Sequence, residues 1–193
     1  MISKNAIDWD GSSALGALDL AAIKIVPPEA LQQQSVSAVL LALGSNYQAQ
    51  YYLPQVRKKL ATLGQIQLST PFQNSDFTAT LEQPKPDYTN QCVYLVLTEN
   101  MTLSELQQTF KKFEVDCGRQ RASEVTEKNS IKIVPMDIDI LLIKPSTNKN
   151  SLSKNSINRY NNKNGEEWVI MANRYPFKAH EIIGLEELTL IEY

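Results

Sequence analysis

Apolar residues change their spacing several times along this chain, and each change marks an element. Ser37–Leu43 is a short continuous apolar run that closes in Gly44-Ser45-Asn46, which predicts a buried strand ending in a turn. Leu53, Val56, Leu60 and Leu63 then recur at helical spacing, with Arg57, Lys58 and Lys59 facing outward and Gly64 as the expected stop. Ile66, Leu68 and Thr70 alternate with polar neighbours, as on a half-buried strand. A Pro-containing surface loop is expected over Thr78–Asp87, before a central strand over Tyr88–Thr98. Thr102 or Ser104 caps the next helix, whose stripe is Leu103, Leu106, Phe110 and Phe113. Arg119–Val134 is polar without a period, Met136–Ile143 is again a strand, Trp168–Met171 a last one, and His180–Leu188 a short amphipathic helix.

This order of strand, helix, strand, strand, helix, strand predicts an α+β domain of the ferredoxin-like split βαβ kind. Its sheet is mostly antiparallel, with helices packed against it on one face. Residues 1–35 read as an N-terminal extension. In it, Trp9 and Leu18–Val26 offer a strand or short helix, Pro27-Pro28 break it, and Gln32–Gln34 form a polar link. Residues 36–193 form the domain proper. It carries a polar insertion over 144–164, rich in Asn, Ser and Lys, whose cations Lys144, Lys149, Lys154, Arg159 and Lys163 meet no acidic residue.

Composition narrows the partners. The 193 residues carry 19 basic and 21 acidic side chains, a net charge of −2, so no global basic field exists to hold nucleic acid. Cys92 and Cys117 are too few for a disulfide framework and match no metal spacing, which points to a reducing compartment. No run approaches the ~20 apolar residues of a membrane span, and the acidic flank at Asp8 and Asp10 lacks the positive start of a secretory signal. A cytoplasmic protein is expected.

Three clusters carry chemistry. In Pro135-Met136-Asp137-Ile138-Asp139-Ile140-Leu141-Leu142, strand alternation turns both carboxylates to one face and Met136, Ile138, Ile140 and Leu142 to the other. Carboxylates about 7 Å apart repel unless a cation lies near, and their hard oxygens suit Mg²⁺. The same pair also fits the solvent face of an edge strand. Glu114 near a helix end precedes Gly118-Arg119-Gln120-Arg121, where forked guanidinium groups suit polyphosphate, or serve simply as cations at a helix C-terminus. Pro86-Asp87-Tyr88-Thr89-Asn90 offers a stacking ring and an amide to a flat heterocycle, or an ordinary strand start.

Taken in order, Leu43-Gly44-Ser45-Asn46, Asp87-Tyr88-Thr89-Asn90, Glu114, Gly118-Arg119-Gln120-Arg121, Asp137-Ile138-Asp139-Ile140-Leu141 and Asn173-Arg174 resemble the 6-hydroxymethyl-7,8-dihydropterin pyrophosphokinase family over residues 38–185. The resemblance implies magnesium-dependent transfer of pyrophosphate from ATP to the pterin's hydroxymethyl oxygen in folate synthesis. It implies two Mg²⁺ on Asp137 and Asp139, the pterin gripped by Tyr88, Asn90 and a second ring at Phe177, and ATP held by Glu114, Arg119, Arg121 and Arg174.

The sequence departs from the family where Arg-Thr is expected, since Val134-Pro135 stands there, and Lys132 or Lys128 is the expected replacement cation. Trp168 stands where a histidine six residues before Arg174 is expected, and the lone His180 reads as a surface or packing residue. The missing arginine leaves a catalytically impaired pterin- or nucleotide-binding relative as the alternative. A ferredoxin-like interaction domain is the third reading, disfavoured for nucleic acid by the near-neutral charge.

Overall fold

The computed structural model describes residues 18, 20–75, 79–80, 84–120, 133–146 and 168–190. In chain order the elements are β1 (Lys24–Val26), β2 (Ser35–Ser45), α1 (Ala49–Leu60), β3 (Gly64–Leu68), β4 (Phe72–Asn74), β5 (Tyr88–Thr102), α2 (Leu103–Asp116), β6 (Asp137–Pro145), β7 (Val169–Met171) and α3 (Ala179–Leu190), with 3-10 turns at Pro28–Leu31 and Ala172–Arg174. Among the described residues, no helix is long and apolar enough to cross a membrane.

The strands form one sheet in the order β1-β7-β6-β2-β5-β3, with β4 also paired to β5. Every pairing is antiparallel except β1 with β7. The block β6-β2-β5-β3, with α1 and α2 as its crossovers, is the expected split βαβ arrangement, so the α+β class and the mostly antiparallel sheet both hold. The run Val39–Leu43 is apolar at consecutive positions because β2 lies between β5 and β6 and is covered on both faces.

The helices occupy both faces, where one was expected. On the first, Val39, Leu41 and Leu43 meet Leu53, Val56 and Leu60 of α1 and Leu103, Leu106 and Phe110 of α2. On the second, Leu40, Ala42, Cys92 and Tyr94 meet Trp168, Ile170, Phe177 and, from α3, Leu185 and Leu188. Each fully buried aliphatic side chain contributes roughly 1.5–3 kcal/mol over its exposed state. Gly184 lets α3 sit close, since a Cβ there would come within 2.6 Å of Cys92 Sγ.

Local chemistry sets the ends. Thr102 and Glu105 form a reciprocal capping box at the start of α2, the side chain of each accepting the other's backbone N–H. Helix α1 has no such cap, and Gln48 holds a left-handed backbone at φ 47° before it. Gly64 is not the stop of α1. The helix ends at Leu60, and Gly64 opens β3, where a Cβ would collide with the Val96 carbonyl oxygen at 1.9 Å. Arg57 also departs from the outward face expected of it, its Nε donating to Gln91 Oε1 at 2.8 Å. The alternation expected along β6 breaks at a register shift opposite Leu40/Leu41, so Leu141 and Leu142 both join the α3 face.

Candidate active site

The site forms where β5, β2 and β6 lie side by side. Asn90 pairs with Gly44, which pairs on its other side with Asp137; one step along, Cys92, Ala42 and Asp139 repeat the alignment. Directly paired residues share a face, so both carboxylates and Asn90 stand on the α3 side of the sheet. Gly44 keeps the ground between them low, because a Cβ there would press on Asn90 Oδ1 at 3.3 Å. Ile138 and Ile140 point into the opposite core, and this anchors the strand whose alternate residues carry the charge.

Each of these groups is held by a named contact. Glu114, buried in α2, accepts the Ile138 N–H at 2.9 Å, which pins the backbone between the two aspartates from the far side of the sheet. Asn90 donates its amide to Asn74 Oδ1, and Tyr88 pairs with Asn74 in register. Arg174, in the turn after β7, forks onto Asp139. Its Nη1 donates to Oδ2 at 2.7 Å and its Nη2 reaches the other oxygen. Phe177 is buried on the same face, edge-on to Tyr175 with centroids 5.7 Å apart.

Arg119 is aimed by the end of α2. Gly118 takes φ 81°, its N–H donates to the Val115 carbonyl at 2.8 Å, and the Arg119 N–H donates back to the Glu114 carbonyl at 3.0 Å. This is the left-handed closure expected at Gly118. The Arg119 side chain is only 8% exposed, with Nη2 3.9 Å from Asp137 Oδ1, while Nε and Nη1 are buried without a hydrogen-bond partner. Buried guanidinium donors left open beside a carboxylate suit an anionic ligand.

Asp139 bears a burial cost that its cationic neighbours offset only in part. Burial pushes Asp139 up to about 6, the charge of Asp137 adds to the shift, and Arg174 and Lys178 offset only part of it. A divalent cation would relieve this strain. Among the described residues, no three His, Cys, Asp or Glu side chains form a metal cluster. Two carboxylates on one face fit Mg²⁺, an ion that keeps waters and takes phosphate oxygens in its remaining positions. On the α2 side of β6 lies a cavity of about 210 Å³, lined by Phe110, Glu114, Ile138, Ile140 and Arg174 and touched by Asp139 of the pair.

A model of the family described as 7,8-dihydro-6-hydroxymethylpterin-pyrophosphokinase matches residues 40–164. The chain belongs to that family. Membership places it among the diphosphokinase transferases of folate synthesis. No curated protein matches the chain. The matched span holds Tyr88, Asn90, Glu114, Arg119, Asp137 and Asp139 and stops before Arg174 and Phe177, which the fold itself brings to the same face of the sheet as the carboxylate pair.

Arg121, Lys128 and Lys132 lie outside the described residues. Val134, where the family pattern has arginine, is buried, donates its N–H to Asn46 Oδ1 at 2.7 Å and accepts the Asn46 N–H at 3.0 Å. Asn46 therefore ties the turn after β2 to the approach to β6, a job its place in Gly44-Ser45-Asn46 did not reveal. Asn74 and Lys178 also escaped the sequence reading. Asn74 sits on a three-residue strand too short to show a period, and Lys178 follows Phe177 without any pattern. His180 is half-buried and lines a second cavity, of about 170 Å³, with Ser69, Phe72, Cys92 and Ile183.

Proposed function

We propose that the chain transfers the pyrophosphoryl group of ATP to the hydroxymethyl oxygen of 6-hydroxymethyl-7,8-dihydropterin and releases AMP. The observation that carries this reading is the carboxylate pair on one face of β6, flanked by a forked Arg174 and by the open donors of buried Arg119. Such a transfer needs positioning and charge neutralisation more than covalent help from the protein.

In this reading Asp137 and Asp139 hold two Mg²⁺ ions, which supply the charge that neutralises the triphosphate and polarises the reacting hydroxyl. Arg119 turns Nε and Nη1 to phosphate oxygens, and Arg174 holds Asp139 in place while presenting its outer edge to the nucleotide. Glu114, by the nucleotide in the family pattern, keeps β6 in register through its bond to the Ile138 N–H. The Tyr88 ring and the Asn90 amide grip the pterin, and Phe177 supplies the second face. Arg121 and Lys132 belong to the same charge-compensating set, with Lys132 standing in for the family's arginine. A cytoplasmic monomer acting on these two small molecules completes the reading.

One observation favours an alternative. Val134 and Pro135 are both buried, so no cation extends from the family's arginine position, and an arginine of that kind supplies ~10³–10⁵ in rate in other phosphoryl-transfer enzymes. The alternative is a catalytically impaired relative that binds pterin or nucleotide. Incubating the protein with ATP, Mg²⁺ and hydroxymethyldihydropterin separates the two. AMP and the pterin diphosphate in equal amounts are expected; ADP in place of AMP overturns pyrophosphoryl transfer, and tight pterin binding without product selects the impaired relative.

A further inference from the structure

The family match begins at residue 40, so the segment before it has no task in the reading above. Its position in the sheet supplies one. Strand β7 is three residues long and shares only two register pairs with β6, Leu142 with Ile170 and Ile143 with Val169. It runs directly into the Ala172–Arg174 turn, whose arginine must meet both oxygens of Asp139. Left as the sheet's edge, so short a strand would be weakly fixed. Strand β1 closes that edge, pairing Lys24 with Val169, Ile25 with Ile170 and Val26 with Met171. Just before it, Leu18, Leu20 and Ile23 pack on the cluster that contains Trp168, Ile170 and Phe177. One segment thus supports both the strand that delivers Arg174 and the ring expected over the pterin.

We propose that Leu18, Leu20, Ile23 and the strand Lys24–Val26 act as a positioning brace for the Arg174–Phe177 arm of the active site. This rests on the pyrophosphokinase reading for its kinetic consequence. The brace touches no reacting atom. It works by holding β7 so that the guanidinium fork stays aligned with Asp139, and a displacement of about 1 Å at such a group costs on the order of 10²-fold in rate.

The test uses the full chain carrying Ile25→Pro and Val26→Pro. Consecutive residues of a strand direct their N–H groups to opposite sides, so one of the two prolines removes a donor that faces β7. A loss of about tenfold or more in kcat/KM is expected in the otherwise unmodified chain, and less than about twofold when Arg174→Ala is already present, because interacting positions are non-additive. Amide exchange over 169–174 should speed up while that of Val39–Leu43 stays unchanged. An equal kinetic loss in both backgrounds, or unaltered exchange over 169–174, overturns the proposal. Should the double-proline chain not fold, Leu20→Ala with Ile23→Ala carries the same comparison. If the unmodified chain transfers no pyrophosphoryl group, the functional reading fails by itself, and the exchange pattern still decides whether the brace exists.

Discussion

The face of the sheet under α1 and α2 and the face under α3 are built from the same strands, yet they differ in what the strand ends present. Under α1 and α2, Leu41, Leu43, Ile138 and Ile140 are closed into an apolar core. Under α3 the apolar cover reaches Ala42 and Cys92 and stops, and one pair further on Asn90, Gly44 and Asp137 form a polar floor. The period-2 alternation of a strand lets β6 be core on one side and site on the other, and Glu114 crosses from the core side to lock the two together. In the proposed reading, stability and chemistry fall to different residues of one strand, so each should be open to disturbance without the other.

The largest separation is expected from Asp137→Asn. It should reduce turnover by ~10³-fold or more, as for the loss of an anchor for the cation that would neutralise transition-state charge, while thermal unfolding shifts little. Leu41→Ala, on the opposite face, should do the reverse: about 3 kcal/mol of stability lost in denaturant unfolding, with KM for ATP unchanged.

Asp139 sharpens the contrast through pH. Its folded-state value is raised from 3.8 to about 6, so the folded protein holds the charged form less well than the unfolded chain does. The penalty, on the order of 2–3 kcal/mol, is fully present above pH 6, is relieved as pH falls through 6, and is gone below 3.8. Asp139→Asn should therefore stabilise the metal-free protein at pH 7.5 and lose that advantage at pH 4, as unfolding curves at the two values would show. The smallest effect is expected at Gln48, whose φ of 47° is a conformation glycine adopts freely. Gln48→Gly should raise stability by about 0.5–1 kcal/mol without changing turnover.

The sequence made the central strands legible because β2, β5 and β6 carry long apolar or alternating runs, and it made α2 legible through its stripe and the Thr102 cap. The charged pair at Asp137 and Asp139 could be placed on one face from alternation alone. Other features lay beyond a periodic reading. Leu18–Val26 offered a strand or a short helix, and only the assembled sheet shows which, with Lys24–Val26 as a strand pairing with β7. The register shift that sends Leu142 to the α3 face is a property of β6 against β2, not of either strand by itself. Glu114 carried a nucleotide expectation, while its contact with the Ile138 N–H depends on α2 and β6 meeting across 24 positions of sequence.

The central claim is that Asp137 and Asp139 anchor divalent cations beneath a nucleotide's phosphates. Calorimetric titration of Mg²⁺ with a non-hydrolysable ATP analogue, into the unmodified chain and into Asp137→Asn/Asp139→Asn, tests it most directly. The expected result is binding by the unmodified chain that weakens about 100-fold or more in the double variant, the loss of two charge-assisted anchors. Equal affinity in the two proteins would contradict the claim.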